Sequence, residues 1–218
     1  MIRTKFILNS YKYFLWEKIY WTILKLKTKK RLYNLWMENK NIINPPSFIK
    51  EKIIKMYAKK FSTKVLIETG TGKGDMIKAM RKEFKSIHSI ELDKALYEYA
   101  KGRFSKYNHI NLYYGDSSKI LPTVLFKVKK PCIFWLDAHY SGGITAKGDL
   151  NTPIIKELDS IISESDFTYV ILIDDARDFI GENDYPTLVE LKQFVLSKNP
   201  KLRIIVKEDI IRITAKNG

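Results

Sequence analysis

Five short apolar runs, each ending at or beside a carboxylate, constrain this chain more than any other feature. They lie near residues 64–68, 86–91, 110–114, 132–136 and 169–173, and they end at Glu68, Glu91, Asp116, Asp137 and Asp174-Asp175. Segments with helical patterning follow the first, second, fourth and fifth, near 74–84, 93–104, 152–163 and 185–197. Runs apolar on both faces that alternate with helices predict a largely parallel α/β sheet buried between helical layers. Two further runs, 202–206 and 209–214, are separated by Lys207-Glu208 and predict a closing antiparallel hairpin. The expected fold is therefore a Rossmann-like α/β domain. Its seven-stranded sheet is mostly parallel with a C-terminal antiparallel hairpin, preceded by an N-terminal helical extension.

An acid at a strand end has an ordinary explanation, because it caps the next helix or forms an Asx turn. Five in succession exceed that explanation. In an open α/β sheet, ligands bind beyond the carboxyl ends of the strands, where all five acids fall.

The first acid introduces Glu68-Thr-Gly-Thr-Gly-Lys-Gly74. Alternating glycines at Gly70, Gly72 and Gly74 admit positive φ and let a ligand approach bare backbone. The following helix start offers free N–H groups to that ligand. A dinucleotide fingerprint needs a third glycine where this chain has Asp75, so that pattern fails. Glu91 lies 21 residues after Gly70, near the offset at which an acid accepts from ribose hydroxyls.

This order resembles class I S-adenosylmethionine (SAM) methyltransferases over about residues 64–215. The resemblance implies that Gly70, Gly72 and Gly74 admit SAM and that Glu68 organises the loop. It implies that Glu91 holds the ribose, and that Asp116, with Ser117, meets the adenine. The Asp-Asp after the fifth run and the acid after the fourth resemble the metal-dependent macrocin-type sugar O-methyltransferases, and catechol O-methyltransferases more loosely. Three converging carboxylates repel one another unless they are protonated or bind a cation. Oxygen-only ligands suit Mg²⁺ or another hard divalent ion. The implied roles make Asp137, Asp174 and Asp175 the metal ligands and Asp137 part of the catalytic centre.

The macrocin-type pattern has a second Asp two residues after the fourth acid, where this chain has His139. A histidine there suits proton removal from the acceptor, metal ligation or a structural role. His88 and His109 are expected to be structural. Residues 140–152 follow with two adjacent glycines, as a lid or an ordinary connection. Lys147 and Arg177 are candidate contacts for an anionic acceptor.

The net charge is +15, and residues 1–40 hold ten basic residues against Glu17 and Glu38. Residues 1–45 form a basic aromatic extension ahead of the 46–218 domain. Lys18, Thr22, Lys25 and Lys29 make one helical stripe, opposite Trp16, Ile19, Tyr20 and Ile23. This suits an anionic membrane surface, and equally a helix packed on its own domain or on a second subunit in a homodimer. No apolar run approaches the ~20 residues of a membrane span. Lys12, Glu17 and Lys18 interrupt any signal-peptide core. The expected location is the cytoplasm, or peripherally the cytoplasmic face of a membrane. The lone Cys132 excludes an internal disulfide and reads as a buried hydrophobe.

The expected activity is SAM-dependent O-methylation of a hydroxyl on a sugar, glycan or small molecule. An RNA or other nucleic-acid methyltransferase is the alternative raised by the basic N-terminus, although no Asn/Asp-Pro-Pro-Tyr motif is present. A non-catalytic member of the same fold that binds a partner or membrane is the third reading.

Overall fold

The structure is a computed structural model. It describes residues 22, 24–38, 44–138, 152–164 and 168–216. The expectations for His139, Tyr140–Asn151 with Lys147, and the aromatic face Trp16, Ile19, Tyr20 and Ile23 lie outside the described residues. The chain divides into two compact units, residues 1–49 and 50–218.

In the first unit, residues 24–38 form a helix, α1. Lys25, Lys29, Leu24, Leu26, Leu32, Leu35 and Met37 are all exposed, while Trp36 is buried and meets Tyr33 edge-on with ring centroids 5.9 Å apart. Helix α2 (Ser47–Lys60), which lies in the second unit from Lys50 onward, starts after Pro45-Pro46, where proline favours a helix start and Pro46 O accepts from Ile49 N.

The second unit is built on one seven-stranded sheet in the order β3-β2-β1-β4-β5-β7-β6. Its strands are β1 (Val65–Thr69), β2 (Ser86–Glu91), β3 (Ile110–Tyr114), β4 (Cys132–Leu136), β5 (Tyr169–Ile173), β6 (Leu202–Lys207) and β7 (Ile210–Ala215). The first five are parallel, and β7 runs antiparallel to both β5 and β6. Every residue of β1, β4 and β5 is buried, which is why these runs lack polar alternation. Each fully buried Ile, Leu or Phe contributes about 1.5–3 kcal/mol of transfer free energy.

The remaining helices are α3 (Asp75–Met80), α4 (Lys94–Phe104), α5 (Ser117–Val128), α6 (Ile154–Glu164) and α7 (Leu188–Lys198). Three differ from expectation. Helix α3 stops at Met80 rather than near 84, because Lys85 N is drawn to Lys64 O to begin β2. Helix α7 starts at Leu188 rather than 185, fixed by a capping box in which Thr187 and Glu190 satisfy each other's backbone N–H groups. No helix was expected between β3 and β4, yet α5 fills that span with Pro122 inside it. A proline there removes one ladder bond, and burial of Leu121, Val124, Leu125 and Val128 offsets the loss.

The final turn also differs. It is Glu208-Asp209, not Lys207-Glu208, with φ of 55° and 58°. Two left-handed residues make the tight hairpin turn whose twist matches the paired strands. Cys132 is buried in β4, and burial pushes its thiol well above the usual range.

Candidate functional site

Strand order reverses at β1, whose neighbours are β2 and β4, so the exits of β1 and β4 open a crevice between connections that leave on different sides. Asp137 N donates to Thr69 O at 3.0 Å and ties the two exits together. Glycine is required at Gly70 for this reason: φ is +83°, and a Cβ there would lie 2.3 Å from the Asp137 carbonyl oxygen. At Gly74 (φ +75°) a Cβ would meet the Phe104 ring at 2.5 Å. Gly72 differs from both. Its φ is +52° and nothing lies within 4 Å of an added Cβ, so its bare face opens on space. One glycine of the three opens on space; the other two admit neighbouring parts of the chain.

Below this loop sits Glu68, only 1% exposed. Ser89 Oγ donates to its Oε2 at 2.5 Å, and Ser89 and Thr71 hydroxyls meet at 2.6 Å. Burial pushes the Glu68 carboxyl up to about 8, opposed by the Ser89 hydrogen bond and helped by Glu91. A buried acid that prefers its proton favours the folded state below its unfolded value near 4.5 and loses that contribution as pH rises through about 8. Wild-type stability should therefore fall from pH 5 to pH 8.5. Glu68→Gln keeps an acceptor for Ser89 without the charge, so it should remove part of that fall, on the order of a few kcal/mol at pH 8.5. Denaturant midpoints of both proteins at the two pH values measure it, and parallel slopes with pH would contradict it.

Glu91 closes the loop from β2. Its Oε2 accepts from Gly72 N at 2.7 Å and its Oε1 from Asp93 N at 2.8 Å. Burial raises its carboxyl above the ordinary value, against the pull of the Asp93, Gly72 and Leu92 N–H groups. A carboxylate has about four acceptor positions, so the group retains capacity for a further donor. The cap of α4 is Asp93, which accepts from Leu96 N at 2.9 Å, so Glu91 is not the cap.

Asp116 is a helix cap. Its Oδ1 accepts from Ser118 N at 2.9 Å and Ser118 Oγ at 2.7 Å, and its Oδ2 lies 3.6 Å from Lys119 Nζ. Ser117 is buried, beside Glu157 of α6. Glu157 had no place in the sequence reading. It is 1% exposed, and burial pushes its carboxyl up to about 7, opposed by the Ser117 and Thr69 hydroxyls and helped by Asp116.

At the ends of β4 and β5, one carboxylate oxygen each from Asp137, Asp174 and Asp175 lies within 4.8 Å of the others. At an effective dielectric near 20, each like-charged pair at that range would repel by at least about 3.5 kcal/mol if both were ionised. Asp174 N donates to Leu136 O at 3.1 Å, which sets the two strand ends level. Asp175 adopts a left-handed backbone (φ 51°), which aspartate tolerates better than most residues. It is clamped from outside: Arg177 Nη2 donates to Asp175 Oδ1 at 2.7 Å, and Arg177 Nη1 and backbone N donate to Asp209 at 2.5 and 2.9 Å. Both Arg177 Nη atoms thus have partners within the protein. The hairpin turn that supplies Asp209 is part of the site's scaffold.

The largest addition to the sequence reading is Lys50 of α2. Its ammonium hydrogen-bonds Asp174 Oδ2 and lies 3.8 Å from Asp175 Oδ1, with its side chain 16% exposed. Burial alone would lower its pKa, but Asp174, Asp175 and Asp137 together outweigh this and the net shift is upward. Burial lifts the Asp174 carboxyl to about 6, with Lys50 pulling against it and Asp175 adding to it. Burial, then Asp174, lifts Asp137 well above the carboxylate range. Asp174 Oδ1 is buried and has no hydrogen-bond partner. Oxygen-only donors at this spacing, with one unmatched buried oxygen, fit a hard divalent cation in kind. Tyr185 borders the same cluster: burial, then Asp178, Asp175 and Asp137, raise its phenol well above its usual value, and its ring packs edge-on to Phe179 at 5.1 Å.

The other histidines are tied to the framework. His88 Nε2 and Nδ1 hydrogen-bond Ser86 Oγ at 2.9 Å and Tyr113 Oη at 3.0 Å, and burial lowers its pKa to about 4. His109 Nε2 hydrogen-bonds Arg81 O at 2.8 Å.

No protein-family pattern matches the chain. Among solved structures, an O-methyltransferase from Bacillus cereus in complex with SAH is similar, with a TM-score of 0.59 and 12% identity over 87% of this chain and 91% of that one. The O-methyltransferase TomG from Streptomyces achromogenes, involved in tomaymycin synthesis and bound to SAM, gives 0.57 and 15% over 86% and 88%. An SAH-bound methyltransferase from Podospora anserina gives 0.55 and 16% over 85% and 87%. At these identities the likeness is one of fold: a seven-stranded, mostly parallel sheet with a C-terminal antiparallel pair, the Rossmann-like methyltransferase fold.

Proposed function

We propose that this chain is a SAM-dependent methyltransferase acting on a hydroxyl oxygen. The observation that carries this reading is the crevice at the β1 and β4 exits: on its β1–β2 side Gly72 has an open face and is held by Glu91, and on its β4–β5 side Asp137, tied to Thr69, belongs to the carboxylate cluster. Neighbours of the same fold that hold SAM or SAH support it. SAM would supply an electrophilic methyl group. Gly72 would give it room and Glu91 would hold its ribose, with Asp116 and Ser117 near the adenine. Glu68 would keep the loop in place through Ser89 and Thr71.

Asp137, Asp174 and Asp175 would face the acceptor. The same three carboxylates would hold Mg²⁺ or a similar cation, whose chemistry is to bind the hydroxyl and lower its pKa. His139, two residues beyond Asp137, would take the proton. Positioning of the two reactants by these groups would supply much of the acceleration. The acceptor class is a sugar, glycan or other small hydroxyl compound. Residues 1–45 would bind an anionic membrane surface or a second copy of the chain; among the described residues no helix is long and apolar enough to cross a membrane.

Calorimetry tests the reading. Folded protein should bind both SAM and SAH, and labelled SAM should methylate an acceptor among sugar nucleotides, lipid-linked glycans and RNA. Absence of SAM binding by folded protein would overturn the function. Transfer to RNA alone would replace the acceptor class.

A further inference from the structure

Three carboxylates at one point need positive charge, and the chain already brings some. Lys50 reaches the cluster from α2, 124 residues away from Asp174 in sequence, and hydrogen-bonds Asp174 Oδ2 while lying 3.8 Å from Asp175 Oδ1. Arg177 is the second cation at the cluster, but Asp209 shares it. Among the described residues Lys50 has no such tether: its ion-pair partners are Asp174 and Asp175, carboxylates that would ligate a metal. The buried Asp174 Oδ1 stays unmatched even with the ammonium in place. That oxygen is an acceptor a cation would satisfy, at a point where a unit positive charge a few ångströms away would oppose it.

Resting on the methyltransferase reading and deepening its metal site, we propose that Lys50 is an internal competitor for the divalent cation. Its ammonium holds Asp174 and Asp175 in the metal-free protein, and a divalent cation binds by displacing it. Cation binding would then be weak and reversible, and the cluster would stay compensated in either state. A side chain with four rotatable carbons and partial exposure can swing toward solvent without moving its helix.

The test is equilibrium binding of Mn²⁺ to full-length wild-type, Lys50→Met and Lys50→Gln proteins, with thermal unfolding in chelator and in Mn²⁺. Removing a unit charge beside the site should tighten Mn²⁺ binding by about tenfold or more in both variants. Both should also melt lower than wild type in chelator and recover more than wild type when Mn²⁺ is added. Asp137→Asn in the Lys50→Gln background should abolish the gain and so locate the ion. Equal or weaker Mn²⁺ binding by the folded variants would overturn the proposal, as would no binding by any of the proteins. Lys50→Gln keeps a polar head if Lys50→Met fails to fold. SAM calorimetry on the same samples separates the two ideas: SAM binding without the Mn²⁺ effect sinks the competition alone, whereas no SAM binding sinks the function.

Discussion

Asp174→Asn is expected to lower methyl transfer by about 10²–10³-fold, the usual loss when one preorganised electrostatic group is removed from a reacting centre. SAM affinity should stay near wild type, because Gly72 and Glu91 belong to the β1–β2 side of the crevice and Asp174 to the β5 side. Asparagine fills the same space but leaves Lys50 with the 3.8 Å ion pair to Asp175 alone among the described residues. Breaking a buried pair is itself costly, by roughly 3–5 kcal/mol where the charge cannot reach water. Lys50 is partly exposed, so the loss should be smaller, and circular dichroism melting must show a folded variant before turnover is compared. Asp175→Asn should behave alike and should also loosen Arg177. Full turnover in either folded variant would remove the cluster from the chemistry and leave it a structural feature of the β4–β5 exit.

The second large effect belongs to the glycine loop. Glu91→Ala removes the acceptor for Gly72 N and Asp93 N together with the expected ribose contact. One hydrogen bond to a charged group contributes about 1.5–3 kcal/mol, so SAM affinity should fall roughly ten- to a hundredfold. Two glycine variants sharpen this result. Gly72→Ala carries a left-handed backbone cost of about 1–2 kcal/mol but meets no atom of the protein, so the variant should fold and bind SAM poorly. Gly70→Ala would drive its Cβ against the Asp137 carbonyl, so it should lose thermal stability first. Calorimetry and melting curves on the three variants check the pattern. Tight SAM binding by a folded Gly72→Ala protein would show that the open face of the loop is not where the ligand lies.

The alternation of apolar runs and helical patterns was enough to predict the parallel sheet, its hairpin and most of its strand boundaries. Buried parallel strands have one physical signature, an unbroken apolar run, and it is local. The carboxylates at the strand ends were legible for the same reason, since a strand end in such a sheet is by topology a ligand-facing position. Helix α5 was not legible, because Pro122 argues locally against a helix that burial of Leu121, Val124 and Leu125 sustains. The start of α7 could have been read from Thr187 and Glu190, whose spacing is a capping signal.

Local spacing also said that three glycines stand together, but not what each one is for. Tertiary packing alone decided that Gly70 admits Asp137, that Gly74 admits Phe104 and that Gly72 faces open space. It likewise put Lys50 among the acids, placed Glu157 beneath Ser117, and turned Arg177 inward onto Asp175 and Asp209. Such pairings join residues far apart in the chain, and their charges respond to burial and distance in space, neither of which is a property of sequence spacing.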